Sequence, residues 1–126
     1  MLVFGTRAGI YAVDLRNMSK VTRQIKAKNV VSLDFGSDRN LLYWTDKKQI
    51  NRFSLLNGVN EKMPFRLDDD SSLEDIAVDW VDQKIYWTDA KHGAIYLGDL
   101  RNGRKVKIVD QKLDVPRAIV VSNHEG

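Results

Sequence analysis

Two copies of one tetrapeptide, Tyr43-Trp44-Thr45-Asp46 and Tyr86-Trp87-Thr88-Asp89, lie 43 residues apart. The likeness continues on both sides of the four letters. Self-similar segments at a period of about 40 to 45 residues mark a propeller blade or a related repeat architecture. A unit of that size cannot bury its apolar faces alone, so the chain reads as an array of stacked units.

Three units can be written one under another. The first runs Leu2-Val3-Phe4-Gly5-Thr6 and then Ile10-Tyr11-Ala12-Val13-Asp14-Leu15. The second runs Leu42 to Asp46 and then Ile50-Asn51-Arg52-Phe53-Ser54-Leu55, turning at Asn57-Gly58. The third runs Ile85 to Asp89 and then Ile95-Tyr96-Leu97-Gly98-Asp99-Leu100, turning at Asn102-Gly103. Asn-Gly between alternating segments is a strong hairpin signal, because both residues accept positive φ.

A charged strand follows each hairpin, at Lys20 to Lys26, Glu61 to Leu67 and Lys105 to Val109. A more apolar one comes next: Val31 to Phe35, Ile76 to Trp80 and Ile119 to Asn123. No stretch has a helical period. Four short antiparallel strands per repeat predict an all-β propeller, the apolar strand innermost and the charged one outermost. The repeats are expected at about 2–35, 41–80 and 84–121. Leu42, Trp44, Trp80, Ile85 and Trp87 are expected in the core, since tryptophan and leucine bury large apolar areas.

Composition narrows the chemistry. With no cysteine among 126 residues, disulfides and thiolate sites are excluded. The net charge of +3 is spread over separate segments rather than gathered on a face with stacking aromatics, so nucleic-acid binding is not expected. No apolar run is long enough to span a bilayer and no signal peptide precedes Leu2, so no membrane contact is expected from this segment.

The doubled tetrapeptide, Ile76-Ala77-Val78-Asp79-Trp80 and Pro116-Arg117-Ala118-Ile119 together resemble the class B (YWTD) repeats of the low-density lipoprotein receptor family. The resemblance covers essentially the whole chain. It implies a YWTD β-propeller of three four-stranded blades, the N-terminal half of a six-bladed disc in an extracellular region of a membrane receptor. It also implies that Tyr43, Trp44, Thr45, Asp46, Tyr86, Trp87, Thr88 and Asp89 are structural, the aromatics packing between blades and Thr and Asp fixing strand ends. In such propellers a protein ligand docks on one face of the disc. Here that face collects Arg7, Lys48, Glu74, Asp75, Lys91, His92 and Arg117, with Lys47, Asp68-Asp69-Asp70 and Asp114 nearby. The first propellers of Wnt co-receptors carry acidic residues near positions where this chain has lysines, a departure from the surface that takes their usual short-peptide ligands.

The expected function is therefore a non-catalytic, ligand-binding, endocytic or Wnt-type co-receptor module without cofactor. A matrix scaffold in the manner of nidogen is the alternative, and a metal-dependent propeller hydrolase a third. Hydrolases of that kind hold a metal on carboxylates at inner strand ends. Asp34 and Asp79 sit at such ends, but Ser122 stands where a third would be. Asp68-Asp69-Asp70-Ser71 lacks the spaced ligands and bidentate Glu of a calcium loop, so no metal is expected. Family propellers use histidines in acid-triggered ligand release; His92 and His124, far apart in sequence, give such a switch little basis. Asn17-Met18-Ser19 is a glycosylation sequon on an expected turn.

The chain reads as starting at the second strand of its first blade and ending on a spare inner strand at residues 117–121. A homodimer in which that strand completes the partner's first blade is expected to close a six-bladed ring. A fragment of a longer propeller is the other reading.

Overall fold

The computed structural model describes residues 1–16, 21–36, 40–109, 114 and 116–122. They form eleven strands and no helix: β1 (Leu2–Gly5), β2 (Gly9–Val13), β3 (Val21–Lys26), β4 (Ser32–Phe35), β5 (Leu41–Thr45), β6 (Ile50–Ser54), β7 (Asn60–Lys62), β8 (Leu73–Asp79), β9 (Lys84–Asp89), β10 (Ala94–Asp99) and β11 (Lys105–Val109). Three antiparallel sheets result, ordered β1-β2-β3, β4-β5-β6-β7 and β8-β9-β10-β11. These are the blades of a β-propeller.

Period-two alternation in the tetrapeptide strands sends neighbouring side chains into different seams. Leu42 and Trp44 join Ile10, Ile25, Ala27 and Phe53 between the first and second sheets. Tyr43 points the other way, into a second cluster with Ile76, Ile85, Trp87 and Tyr96 of the third sheet. Trp87 is 1% exposed. It stacks on Tyr96 at 5.7 Å and meets Phe65 at 5.2 Å. Tyr43, Trp44 and Trp87 thus serve seams, as the resemblance implies, whereas Tyr86 is half-buried and outside both clusters.

Gly98 sits where Phe65 crosses the third sheet. A Cβ there would lie 2.6 Å from the Phe65 ring and 2.8 Å from Trp87, so only glycine fits this close approach. Phe65 lies past the end of β7, in the segment expected to continue the charged strand to Leu67. That strand stops at Lys62 because Pro64 offers no N–H, and Met63 and Phe65 turn into the core instead.

The expected registry of the inner strands needs correction. Phe35 pairs with Leu42 and Val78 with Ile85, so Phe35 corresponds to Val78 rather than to Trp80. Trp80 therefore lies past the end of β8, in a turn where Asp79 accepts the N–H groups of Val81 and Asp82. It is 45% exposed and not a core residue. It borders an open cleft of about 550 Å³ with Phe35, Val78 and Val121.

Residues 117–121 do not form the expected strand either. The segment runs alongside β8, held where Arg117 O accepts the Thr88 hydroxyl (2.9 Å) and Ile119 N donates to Asp75 Oδ2 (2.8 Å). With no ladder partner among the described residues, Val120 is 90% exposed.

The Asn-Gly turns also differ from expectation. Only Gly58 and Gly103 have positive φ, 73° and 74°. Their N–H groups bond back to Ser54 O and Asp99 O, so each hairpin uses a longer loop closed by a left-handed glycine.

Candidate functional site

Turns after the tetrapeptide strands and the entries to the inner strands meet at one end of the sheets. Main-chain bonds knit them together. In the first pair Asn29 N donates to Arg7 O and Val30 N to Thr6 O, at 3.0 and 3.1 Å. In the second Leu73 N donates to Lys47 O, and in the third Ala90 N to Ser72 O. The face is thus a row of backbone-tied loops on a rigid scaffold.

The tetrapeptide's polar half builds these turns. Asp46 Oδ1 accepts the N–H groups of Lys48 and Gln49, both at 2.7 Å. Asp89 Oδ1 does the same for Lys91 and His92 and adds Ser72 N at the entry to the paired strand β8. Short carboxylates commonly close turns in this way. The first unit has no aspartate at this position, yet Thr6 Oγ1 accepts from Ala8 N and Gly9 N at the same offsets. Thr45 donates to the carbonyls of Asp46 and Gln49, while Thr88 accepts from Asp75 N and donates to Arg117 O. Threonine thus closes its own turn in one blade and holds the neighbouring segment in the other.

Side chains on the face pair across loops. Lys47 Nζ lies 2.5 Å from Glu74 Oε1. Lys48 Nζ donates to the carbonyls of Asp69 (2.9 Å) and Ser71 (2.7 Å), fastening the acidic loop beneath it. His92 Nε2 reaches Asp70 Oδ1 at 2.9 Å, and that bond holds the Asp70 carboxyl below the ordinary aspartate range. Arg7, Lys91 and Arg117 are exposed. Asp75 points inward instead. Its Oδ1 accepts the Ser32 hydroxyl and its own strand's Ile76 N, and its Oδ2 accepts Ile119 N. It is a strut between inner segments rather than a surface contact.

The cation-paired Glu74 and the Lys48 clamp were visible in the sequence only as loop charges. Nothing in the spacing announces that residue 92 meets residue 70; the antiparallel return of β9 against β8 does that. Asn17 lies outside the described residues. Asp34 and Asp79 do not form the matched pair that a channel metal needs. Asp34 stands opposite Tyr43 within β4 and receives Val78 N and Phe35 N, while Asp79 closes a turn. Burial raises the pKa of Asp34.

Residues 83–121 match the family model described as low-density lipoprotein receptor repeat class B. The whole chain is 33% identical, over 130 aligned residues, to low-density lipoprotein receptor-related protein 5 of Mus musculus, of which it covers 8%. It is 34% identical over 110 residues, 82% of its own length, to low-density lipoprotein receptor-related protein 8 of Homo sapiens, of which it covers 11%. A chain in a crystal structure of a nidogen/laminin complex is similar at a TM-score of 0.77 and 27% identity, over 95% of this chain and 48% of that one. The chain therefore spans a small part of the curated relatives it matches and about half of the structural neighbour.

Proposed function

Because the chain belongs to the low-density lipoprotein receptor class B repeat family, we propose that it is an extracellular, non-catalytic protein-binding module of a receptor-related protein. The backbone-tied face carries this reading: loops from all three sheets are fixed to one another, and Arg7, Lys91 and Arg117 stand exposed on them. Binding to such a face costs little loop ordering, which favours affinity. The two curated relatives, both receptor-related by name, support a receptor role, in ligand uptake or Wnt-type co-reception. The likeness to a chain in a nidogen/laminin complex supports a matrix scaffold as the alternative. The backbone engagements of Asp34 and Asp79 count against a propeller hydrolase.

The test is surface plasmon resonance of the folded chain against purified extracellular proteins, a laminin fragment among them. Binding that is lost in Arg117→Glu or Glu74→Lys, and kept in Arg101→Glu at the opposite end, supports the reading. Binding that ignores both face substitutions overturns it.

A second copy of the chain is a further partner under this reading. Among the described residues the first sheet has three strands where the others have four, and residues 117–121 lie beside no ladder partner. Leu2 and Phe4 of β1, Val106 and Ile108 of β11 and Val120 are exposed apolar groups on the two flanks. A two-fold pair exchanging residues 117–121 would cover them. A sedimentation mass of one chain, 14.4 kDa, from a folded sample overturns the exchange.

A further inference from the structure

The acidic loop and the turn that closes β9 bring four donors to one point. His92 Nε2 lies 2.9 Å from Asp70 Oδ1, 3.9 Å from Asp68 Oδ2 and 3.9 Å from Asp89 Oδ2. The donor atoms of Asp68, Asp70 and His92 all fall within 4.8 Å of one another. An acidic run on a surface is ordinary, but two observations set this cluster apart.

One is the imidazole. It supplies a nitrogen donor from a different loop, which a solvated run of aspartates does not have. The other is Asp89, whose side chain is 1% exposed. Its Oδ1 is taken by the N–H groups of Ser72, Lys91 and His92. Its Oδ2 faces the imidazole nitrogen beyond hydrogen-bond reach, from the buried side of the cluster.

We propose that Asp68, Asp70 and His92, backed by Asp89, form a binding site for a divalent transition metal of the zinc class. Zinc takes imidazole and carboxylate donors at about 2.0–2.2 Å, which places neighbouring donors roughly 3 Å apart. The His92–Asp70 distance of 2.9 Å already meets that spacing. Asp68 closes the remaining gap by a side-chain rotation, since its carboxyl is 61% exposed and has room to move. A mixed nitrogen and oxygen set favours zinc, cobalt or manganese over calcium and magnesium, which take oxygen donors.

The loop is held in place without the ion. Ser71 N donates to Asp68 O, and Lys48 Nζ grips the carbonyls of Asp69 and Ser71. Lys91, next to His92 in the turn, adds a positive charge near Asp70 that opposes a cation there. Metal binding would tie residues 68–72 to residues 89–93 on the candidate protein-binding face. Its outer positions stay open to water or to a partner's carboxylate.

The experiment is equilibrium dialysis and thermal unfolding of the tag-free folded chain with zinc alone, repeated with cobalt for its visible absorption. The expected result is about one ion per chain with a raised unfolding temperature, as linkage requires for a ligand of the native state. His92→Ala and, separately, Asp70→Asn weaken binding roughly tenfold or more, a loss typical of damaged metal sites. Arg101→Ala, at the opposite end of the sheets, leaves it unchanged. No saturable ion below millimolar zinc, or binding unaltered in both His92→Ala and Asp70→Asn, overturns the proposal. Circular dichroism of each variant separates lost ligation from lost folding. Protein binding measured with a chelator present tests the face independently of the metal.

Discussion

The Asp75 carboxylate spans the gap to Ser32 on one side and to Ile119 on the other. Its Oδ1 accepts the Ser32 hydroxyl and its Oδ2 the Ile119 N–H at 2.8 Å. The contact partners lie 43 and 44 residues away along the chain, so one side chain joins three successive inner segments. Asp75→Ala leaves those donors without their acceptor. The expected loss is about 2–4 kcal/mol in urea unfolding, in line with removing hydrogen bonds to a charged group. Hydrogen exchange at the Ile119 amide should rise more than at Ile85. Unchanged exchange at Ile119 would contradict the strut.

Gly98 marks a close approach between the third sheet and the segment that follows β7. Gly98→Ala forces its new methyl against Phe65 and Trp87. The expected cost is about 1–3 kcal/mol, the usual penalty for overpacking. Phe65→Leu in the same chain should recover part of it, and a double-mutant cycle in denaturant measures the coupling.

The tryptophans separate by position. Trp87→Ala should cost about 3–5 kcal/mol, as for a buried large-to-small change. Trp80→Ala, at 45% exposure, should cost well under half as much. Equal losses in chemical denaturation would place Trp80 in the core after all.

Two aspartates give opposite pH dependences. The Lys84 ammonium and then the Arg101 N–H hold Asp99 at about 2, below its ordinary value of 3.8. Its contribution is present above that ordinary value and is lost as pH falls through the folded one. Asp99→Asn should remove this acid-side loss. Burial raises Asp34 above 3.8, so its ionisation lowers stability as pH rises from that value through the folded one. Asp34→Asn should flatten that decline in pH-dependent urea melts.

Much of the fold could be read from the chain because the repeat carries its own alignment. The tetrapeptide shows which residues face a seam: alternation sends Tyr43 and Trp44 to different clusters, and the repeat places Trp44 and Trp87 in successive ones. The inner strands were harder. They share apolar character but few letters, and matching Asp34-Phe35 to the similar Asp79-Trp80 sets Phe35 two residues off its true counterpart, Val78. The outer strand of the second sheet ends early for a local reason, Pro64, whose effect on Phe65 depends on a glycine in the next sheet. On the face, loop membership of Lys48, Glu74, Lys91 and His92 was evident. Their partners were not, because pairs such as His92 and Asp70 are set by strand return and loop curvature rather than by sequence spacing.

The account rests on sheets stacked side by side with two separate seams. Nuclear Overhauser contacts of the two indoles measure this directly. Trp44 protons should contact side chains of Ile10 and Ile25, and Trp87 protons those of Phe65 and Tyr96, with no contact between the indoles. Strong contacts linking Trp44 to Trp87 would place both in one core and contradict the stacked-blade architecture.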